Sequence, residues 1–307
     1  MKTDTFKHYF TGVLATLTTI VLFASFVIAS RAGLKTQLSP SDLTALRFVV
    51  AGTLLLPVFL RQGFMGLTFI RACALAFFGG LGFAFTAYSA FKLAPASHGS
   101  ALLHGTLPLT TLVLQTVLGC ALPERKRLIP VLLISAGVAL MVFDSLHVAS
   151  HQQLLGDALL LLASIFWSAY GICVSKFRVP PIPAAATVAV LSGAAFLPVY
   201  VLSGAATWQK ASVPDVVMQM FIQGLLVGVI ANIAYLKAIA NLGAPAVALA
   251  LAIVPSLTVI AAIGVLGEWP TLFGTLAIAL VTAGILAGVL QFSQAPTVAS
   301  EHLLHRR

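Results

Sequence analysis

Apolar stretches about as long as a membrane is thick follow one another through almost the whole chain. Each stretch holds about 20 residues, which as an α-helix is enough to cross a hydrocarbon core of roughly 30 Å. Pro residues or charge clusters separate most of them. The stretches are residues 11–31, 41–60, 72–91, 99–121, 128–147, 154–175, 184–203, 218–239, 245–266 and 271–291.

The composition excludes a soluble domain. Hydrophobic residues make up 60% of the chain and charged residues 8%, whereas a soluble globular domain carries about 25% charged residues. We therefore predict an all-α integral membrane protein with ten transmembrane helices. A cleavable signal peptide is not expected, because the first stretch is long enough to span and its counterpart at 154–175 lies inside the chain.

The chain also contains an internal repeat, whose copies we assign to residues 1–147 and 148–292, followed by a short cytoplasmic tail at 293–307. Identical residues fall at matching positions in both copies: Lys35 matches Lys176, Pro40 matches Pro181, Tyr88 matches Tyr235 and Pro108 matches Pro255. Five spans per copy is an odd number, so the second copy must enter the membrane from the opposite side. The sequence thus predicts two inverted five-helix repeats with a site near the bilayer midplane between them.

The net charge of +9 reports topology rather than an acidic partner. With the N-terminus inside, twelve of the seventeen Lys and Arg residues fall on the inner face and four on the outer face, while Arg47 lies within a span. The positive-inside rule predicts this bias. We expect both termini in the cytoplasm and the protein in the plasma membrane, a bacterial inner membrane. Nucleic acid is not an expected partner, since no basic patch with interleaved aromatic residues occurs.

Local sequences in the two copies resemble the drug/metabolite transporter superfamily of the EamA type. In the first copy Ala-Tyr-Ser-Ala-Phe-Lys-Leu-Ala-Pro ends a span at Pro95, Ala-Leu-Leu precedes Pro108 by four residues, and Ser-Ala-Gly-Val follows in the next span. The second copy has Ala-Tyr-Leu-Lys-Ala-Ile-Ala-Asn-Leu-Gly, then Pro255, Leu-Gly-Glu268 and Thr-Ala-Gly-Ile. The first copy departs from the Leu-Gly-Glu turn, with Leu-Gly-Cys120 and a Glu only at Glu124.

This resemblance implies a carrier of small metabolites or amino acids, often an exporter. It also implies a central cavity lined by spans 1, 3 and 4 of the first copy and by spans 6, 8 and 9 of the second. Polar and amphipathic side chains occur on those spans, and they should face the bundle or a water-filled cavity rather than lipid. The alternative for each is a hydrogen bond that ties helices together. The predicted substrate-binding residues are Tyr88, His104, Trp167, Tyr170, Asn232 and Tyr235.

The acidic residues restrict the substrate. All eight lie at span ends or in loops of the predicted topology, so no carboxylate is expected inside the membrane to hold a cation. Neutral, zwitterionic or anionic metabolites suit a site with Lys92, His104 and Asn232. Energy coupling stays open between facilitated diffusion and proton transfer through His104.

Several other side chains are expected to have no role in transport. Arg47 is expected to extend to the outer interface, where Asp42 is close in sequence. Asp144, His147 and His151 have metal-like spacing but are expected in a solvated loop. No metal or cofactor is predicted, and the three cysteines form no CxxC pair.

Two other functional classes fit the sequence less well than a carrier. An intramembrane enzyme would need a catalytic group, but HExxH, GxSxG, P-loop and intramembrane Asp-pair motifs are all missing from the sequence. A non-transporting receptor or assembly factor would not need an inverted duplication. The predicted partners are a small-molecule substrate and the lipid bilayer. The motifs Gly224-x-x-x-Gly228 and Gly284-x-x-x-Gly288 fit helix contacts within the bundle or in a homodimer.

The topology can be tested directly. The turn from Glu124 to Arg127 should lie inside and the loop from His147 to Gln153 outside. A cysteine introduced at Ser150 should then react with an impermeant thiol reagent in intact cells, and a cytoplasm-specific reporter fused after Arg307 should be active. A periplasmic signal from the C-terminal fusion would contradict both the span count and the inverted repeat.

Overall fold

The computed structural model describes residues 2–119, 128–147 and 151–293. Cys120, the predicted turn from Glu124 to Arg127, Ser150 and the tail after residue 293 lie outside these ranges. Every regular element in the described ranges is helical. The α-helices are α1 (Lys2–Leu34), α2 (Pro40–Gln62), α3 (Phe69–Ala76), α4 (Gly82–Leu93), α5 (Ala96–Ser100), α6 (Leu107–Val117), α7 (Leu128–His147), α8 (His151–Phe177), α9 (Pro181–Leu202), α10 (Val213–Gln219), α11 (Asn232–Leu242), α12 (Ala244–Ala250), α13 (Val254–Leu266) and α14 (Leu272–Ser293).

Seven helices among the described residues are long and apolar enough to cross a membrane, which supports the predicted integral membrane protein. Two further apolar helices are shorter, Val254–Leu266 and Leu272–Gly288. The count of ten spans therefore stays a prediction. The seven are His8–Leu34, Pro40–Gln62, Phe69–Leu93, Ile129–His147, His151–Phe177, Pro181–Leu202 and Val213–Leu242.

The segments predicted as spans 4 and 9 are helices broken near their prolines. A π-helical turn at Ala101–Gly105 joins α5 to α6, in which Pro108 occupies the first turn. A 3₁₀ turn at Leu251–Ile253 joins α12 to α13, with Pro255 likewise in the first turn. Because proline has no N–H to donate, it suits the start of a helix and interrupts the one before it. Both segments are thus interrupted just before Pro108 and Pro255.

Local signals place the other helix ends. Ser39 caps α2, accepting a hydrogen bond from the backbone N–H of Asp42 while the Asp42 side chain accepts one from the N–H of Ser39. This is a capping box, which satisfies two otherwise unpaired donors. A glycine marks the end of another helix: α11 ends at Gly243, whose φ of +85° is a conformation that favours glycine. One helix therefore ends and the next begins at Gly243, between Asn241 and Pro245.

Hydrogen bonds between helix ends mark one end of the bundle. Lys92, near the end of α4, donates to the carbonyl of Leu34 at the end of α1. Glu268, just after α13, accepts from the backbone N–H of Ala96 at the start of α5. We call this the far end, and the end at which α1 begins the near end. Under the predicted topology the far end faces outward.

The closest helix pairs join one half of the chain to the other. The pairs are α2 with α9, α7 with α14, α4 with α8, and α1 with α11. In the predicted numbering, α4 and α8 belong to spans 3 and 6, and α1 and α11 belong to spans 1 and 8. If each span is replaced by its counterpart in the other copy, the contact between spans 3 and 6 becomes the contact between spans 8 and 1. The pairs 2 with 7 and 5 with 10 are unchanged by the exchange.

Glycines allow helices of the bundle to approach closely. A Cβ atom added at Gly224 would lie 2.4 Å from Cβ of Val50 in α2, and one at Gly228 would lie 3.0 Å from Cβ of Ala51. A Cβ at Gly284 would lie 2.9 Å from side-chain atoms of α7. These three glycines therefore serve contacts within the chain, and the homodimer stays a prediction.

This packing yields a stability prediction. Gly224→Ala should destabilise the protein by roughly 1–3 kcal/mol, because the added methyl group overpacks the contact with α2. The measurement is thermal unfolding of the detergent-solubilised protein. Gly264→Ala is the control, because a Cβ at Gly264 has no atom within 4 Å. Equal unfolding temperatures for the two variants would show that α2 and the segment carrying Gly224 are not closely packed.

Candidate functional site

Five of the six predicted substrate-binding residues meet in the centre of the bundle. Trp167 lies 5.2 Å from Tyr170 and 5.0 Å from Tyr235, measured between ring centroids. The Tyr170 hydroxyl donates to Oδ1 of Asn232 at 3.0 Å. His104 joins the group through Phe23 of α1, whose ring lies 5.1 Å from the imidazole. We call Phe23, His104, Trp167, Tyr170, Asn232 and Tyr235 the aromatic chamber.

Elements from both halves position the chamber. Phe23 lies on α1 and His104 on the π-helical turn between α5 and α6, while Trp167 and Tyr170 come from α8. Asn232 and Tyr235 lie on α11. Such π-helical turns occur frequently at functional sites. The chamber therefore lies between residues 1–147 and 148–292, the two predicted copies.

A kink between α3 and α4 makes room for the Tyr170 ring. The chain forms a π-helical turn at Phe77–Leu81, and Ser192 of α9 bonds both sides of the kink, donating to the carbonyl of Ala76 and accepting from the N–H of Leu81. A Cβ at Gly79 would lie 2.5 Å from the Tyr170 ring. A glycine is thus needed where the backbone approaches the ring.

Polar atoms in the chamber lack partners. Nδ1 of His104 and Nε1 of Trp167 are buried without a hydrogen-bond partner in the described part of the chain. A buried polar group without a partner costs about 1–3 kcal/mol. These two atoms are therefore available to a bound ligand.

Arg47 lies beside the chamber, not at the interface with water as its sequence position suggested. Its side chain is 2% exposed, and its Cζ atom lies 5.9 Å from the ring centroids of both Phe26 and Phe83. Phe83 in turn packs on Trp167 with 4.5 Å between centroids. The expected extension of Arg47 toward Asp42 is wrong, because aromatic rings of α1 and α4 hold the guanidinium inside the bundle.

Tyr88, the sixth predicted residue, lies one layer toward the far end. Its hydroxyl donates to Oε1 of Gln223 at 3.0 Å, and Gln223 donates to Ser30 and to Gln219. All four side chains are buried. These bonds join α1 and α4 to residues 219–231, which precede α11. Tyr88 therefore makes a hydrogen bond that ties helices together, the alternative to lining the cavity. Lys92 is also outside the chamber, at the far end.

A narrow crevice adjoins the chamber on the near side. Thr111 and Ser168 line one wall, with 3.0 Å between their hydroxyl oxygens. Tyr235 borders both the crevice and the chamber, and Ala244 and Ala248 of α12 form the opposite wall. Since α11 ends and α12 begins at the near end, the crevice lies on that side of the chamber.

Three acidic clusters join the two halves at the far end. In the first, Glu268 pairs with Lys35 at 2.8 Å and with Arg31 at 3.1 Å, and it accepts the N–H of Ala96. Burial by itself raises the pKa of the Glu268 carboxyl, but this N–H and the two cations outweigh it and hold the pKa below its ordinary value. The carboxylate is therefore ionised at neutral pH and bound to the first half.

The second cluster surrounds Asp42, which is fully buried. Its carboxylate accepts hydrogen bonds from the hydroxyls of Tyr200 and Thr207 and, at 3.1 Å, from the N–H of Thr207. Together with the bond from Ser39 these donors satisfy both oxygens. Asp42 thus connects the start of α2 to the end of α9 and the loop after it.

The third cluster contains His98, Asp144 and Asp157, each at most 2% exposed. We call it the His98 cluster. The expected position of Asp144 in a solvated loop is wrong, because the last turn of α7 packs against α5 and α8. His147, also part of that expectation, is exposed, as is His151.

Sequence reasoning missed Phe23, Phe83 and the His98 cluster. Phe23 contacts His104, Trp167 and Tyr235, and its place on the first span was the available signal. Nothing in the spacing of His98, Asp144 and Asp157 indicated that they meet, since 46 and 59 residues separate His98 from its partners.

Comparisons with known proteins agree with this architecture. A curated protein from Archaeoglobus fulgidus, described as an uncharacterized transporter, is 29% identical over 285 residues, covering 90% of this chain and 96% of the relative. A crystal structure superposes with a TM-score of 0.68 at 18% identity, over 94% of this chain and 98% of the other. At that identity the superposition shows the fold alone.

The model of the EamA-like transporter family matches residues 10–143 and again residues 154–289. The family and the curated relative are described as transporters, which favours a carrier over the intramembrane enzyme and the receptor. Seven helices long and apolar enough to cross a membrane, a family match over almost the whole length and a buried chamber between the matched segments lead to one conclusion: the chain belongs to the EamA-like transporter family.

Proposed function

We propose that the protein carries small metabolites, namely amino acids or related zwitterionic and neutral compounds, across the plasma membrane of a bacterium. The observation that carries this proposal is the aromatic chamber, where buried rings surround polar atoms without partners. Aromatic faces bind apolar side chains and ammonium groups, while Asn232 offers both donor and acceptor groups. No carboxylate among the described residues faces the chamber, which disfavours lipophilic cations as the main substrate.

Transport by alternating access fits the difference between the two ends. At the far end the three acidic clusters bind one half to the other. At the near end a crevice with room for about one water molecule borders Tyr235 of the chamber. Two inverted copies can exchange these arrangements, so that the near end closes when the far end opens. The exchangeable helix pairs support such a relation between the halves.

The orientation and direction belong to the same proposal. With both termini in the cytoplasm, the near end faces the cytoplasm, and opening there would admit substrate from inside, which suits an exporter. Ten spans follow if the broken segments and the last helix also cross the membrane. A small-molecule substrate, the bilayer and a possible second copy of the chain are the expected partners.

The function is tested with purified protein and reconstituted vesicles. A thermal-shift screen against the twenty standard amino acids should identify ligands, because a ligand that binds the folded state raises its apparent stability. Vesicles containing only this protein should then move those ligands. Turnover of a lipid or peptide without solute movement would instead favour an enzyme.

Variants of the chamber give the corresponding prediction. Asn232→Ala and Tyr170→Phe each remove the hydrogen bond between these side chains and should weaken transport about two- to tenfold, the range for one neutral hydrogen bond. The measurement is the rate of amino-acid movement in vesicles at matched protein content.

Two packing variants serve as controls for this prediction. Thr19→Val and Ile278→Val change buried side chains that are not part of the chamber and should leave the rate near wild type. Normal transport by the Asn232, Tyr170 and His104 variants together would show that these residues only hold the bundle together.

A further inference from the structure

Arg47 is a buried cation without an anionic partner. None of the described carboxylates forms an ion pair with it, and its NH1 atom has no hydrogen-bond partner in the described part of the chain. Asp42, five residues earlier on the same helix, is occupied by Ser39, Tyr200 and Thr207. A buried charge without a partner is costly, even after relaxation of the surroundings.

Aromatic rings offset only part of that cost. The guanidinium lies 5.9 Å from the centroids of Phe26 and Phe83, and such cation–π contacts contribute about 0.5–2 kcal/mol each. They leave NH1 without a hydrogen-bond partner among the described residues, and a guanidinium can match a carboxylate with two parallel hydrogen bonds. A carboxylate ligand would therefore meet both the charge and the donors.

The position of Arg47 connects this charge to the aromatic chamber. Phe83 contacts the guanidinium on one side and packs on Trp167 on the other. An amino acid whose carboxylate reached Arg47 would place its ammonium and side chain near Trp167 and Tyr170. Aromatic faces attract ammonium groups, so the two ends of a zwitterion would each find a complementary environment.

We propose that Arg47 binds the carboxylate of the substrate and selects zwitterions over their uncharged or cationic analogues. This deepens the proposed function and rests on it. The bound carboxylate supplies the missing counter-charge, so the free energy of the unpaired guanidinium is recovered when substrate binds. Arg47 is thereby the residue that determines the specificity for the acid group.

The test compares ligands that differ in one charged group. Purified protein is screened by thermal shift with L-phenylalanine, with L-phenylalaninamide, which lacks the carboxylate, and with 3-phenylpropionate, which lacks the ammonium. Wild type should prefer L-phenylalanine over its amide. In Arg47→Gln that preference should fall about ten- to hundredfold, the equivalent of a charged hydrogen bond. Arg61→Gln, an exposed arginine of the same helix, should keep the preference.

The ligand-free protein distinguishes the proposal from a purely structural role for Arg47. Under the proposal, removing an unpaired buried charge should leave the melting temperature of Arg47→Met equal to or above that of wild type. A structural role predicts a lower melting temperature. A lower melting temperature, or an unchanged preference for the carboxylate in Arg47→Gln, would overturn the proposal. If 3-phenylpropionate stabilises wild type but not the variant while no amino acid binds, the anion site stands and the amino-acid function fails.

The His98 cluster carries a second, independent inference. Nδ1 of His98 lies 3.0 and 3.2 Å from the two carboxylate oxygens of Asp157, and Nε2 lies 3.3 Å from Oδ2 of Asp144. Each contact needs a hydrogen atom, because carboxylate oxygens and an unprotonated ring nitrogen only accept. A neutral imidazole has one N–H. Hydrogen bonds from both ring nitrogens therefore require one proton more than a neutral imidazole with two carboxylates carries.

The surroundings of the cluster make this extra proton important. Ser145 donates to Asp157 and Thr271 donates to Asp144, while Oδ1 of Asp144 is buried without a partner among the described residues. Without the extra proton, two buried carboxylates would remain beside a neutral ring. The other titratable or charged side chains nearby are the exposed His147 and His151 and the mutually paired Glu268, Arg31 and Lys35.

The geometry points to a proton-binding site whose occupation is required to close the far end, an inference that also rests on the proposed function. Asp157 and Thr271 belong to the second half, whereas His98 and Asp144 belong to the first. Opening between the halves would separate these groups and expose them to water on that side. Closure would then take up one proton from the same side.

The test uses a cysteine at Ser100, which is fully buried on α5 in the closed form. In vesicles that expose the far end, labelling of Ser100→Cys by an impermeant thiol reagent should increase as the outside pH rises. Ionisation of the thiol alone also raises the labelling rate as the pH rises. Adding Asp144→Asn, a neutral substitute for the protonated acid, should leave only that part of the increase. Asp215→Asn, in a separate contact with Ser212, should not remove it.

The comparison uses the same cysteine in every variant, so the titration of the thiol cancels. The same pH dependence with and without Asp144→Asn would overturn the proton site, as would labelling that follows the inside pH. Because the readout needs no substrate, the result is separate from success or failure of the transport assay.

Discussion

The structure depends on a requirement that an apolar solvent imposes on polar groups, which must find their partners inside the protein. Three of the described acidic residues meet the requirement largely by bonding across the two halves. Glu268 binds cations of α1, Asp42 binds hydroxyls after α9, and Asp157 binds the imidazole of α5. Each carboxylate is thus satisfied only while the halves are in contact at the far end.

The chamber is built on the opposite balance. Its rings pack closely, but Nδ1 of His104, Nε1 of Trp167 and NH1 of the neighbouring Arg47 lack partners within the described chain. A ligand that supplied those partners would gain the free energy that the unpaired groups lack, which is how a largely apolar site acquires specificity. Under the proposed function the far end contributes contact between the halves, and the chamber contributes recognition.

The sequence predicted the helices better than their contacts. Stretch length, the capping Ser39 and the terminating Gly243 are local signals, and the structure agrees with them. The faces of the helices are less readable, because a span can be apolar on its lipid side as well as inside. Polar residues such as Asn232 and Tyr170 marked the interior, whereas Phe23 could not be distinguished from a lipid-facing phenylalanine. Asp144 was misread because an acid near a helix end usually meets water, and its partner His98 lies far away in sequence.

The broken fourth segment connects recognition with closure. It carries His98 in α5 and His104 in the π-helical turn, so one end of it belongs to an acidic cluster and the other to the chamber. Hydroxyl bonds from Thr106 to Ser164 and from Thr110 to Ser168 attach the same segment to α8. A helix interrupted near Pro108 moves more easily than a continuous one, since its backbone bonds are already broken there. A shift of this segment that accommodates a ligand at His104 would also displace His98 from its carboxylates, which ties the occupancy of the chamber to the bonds that hold the far end closed.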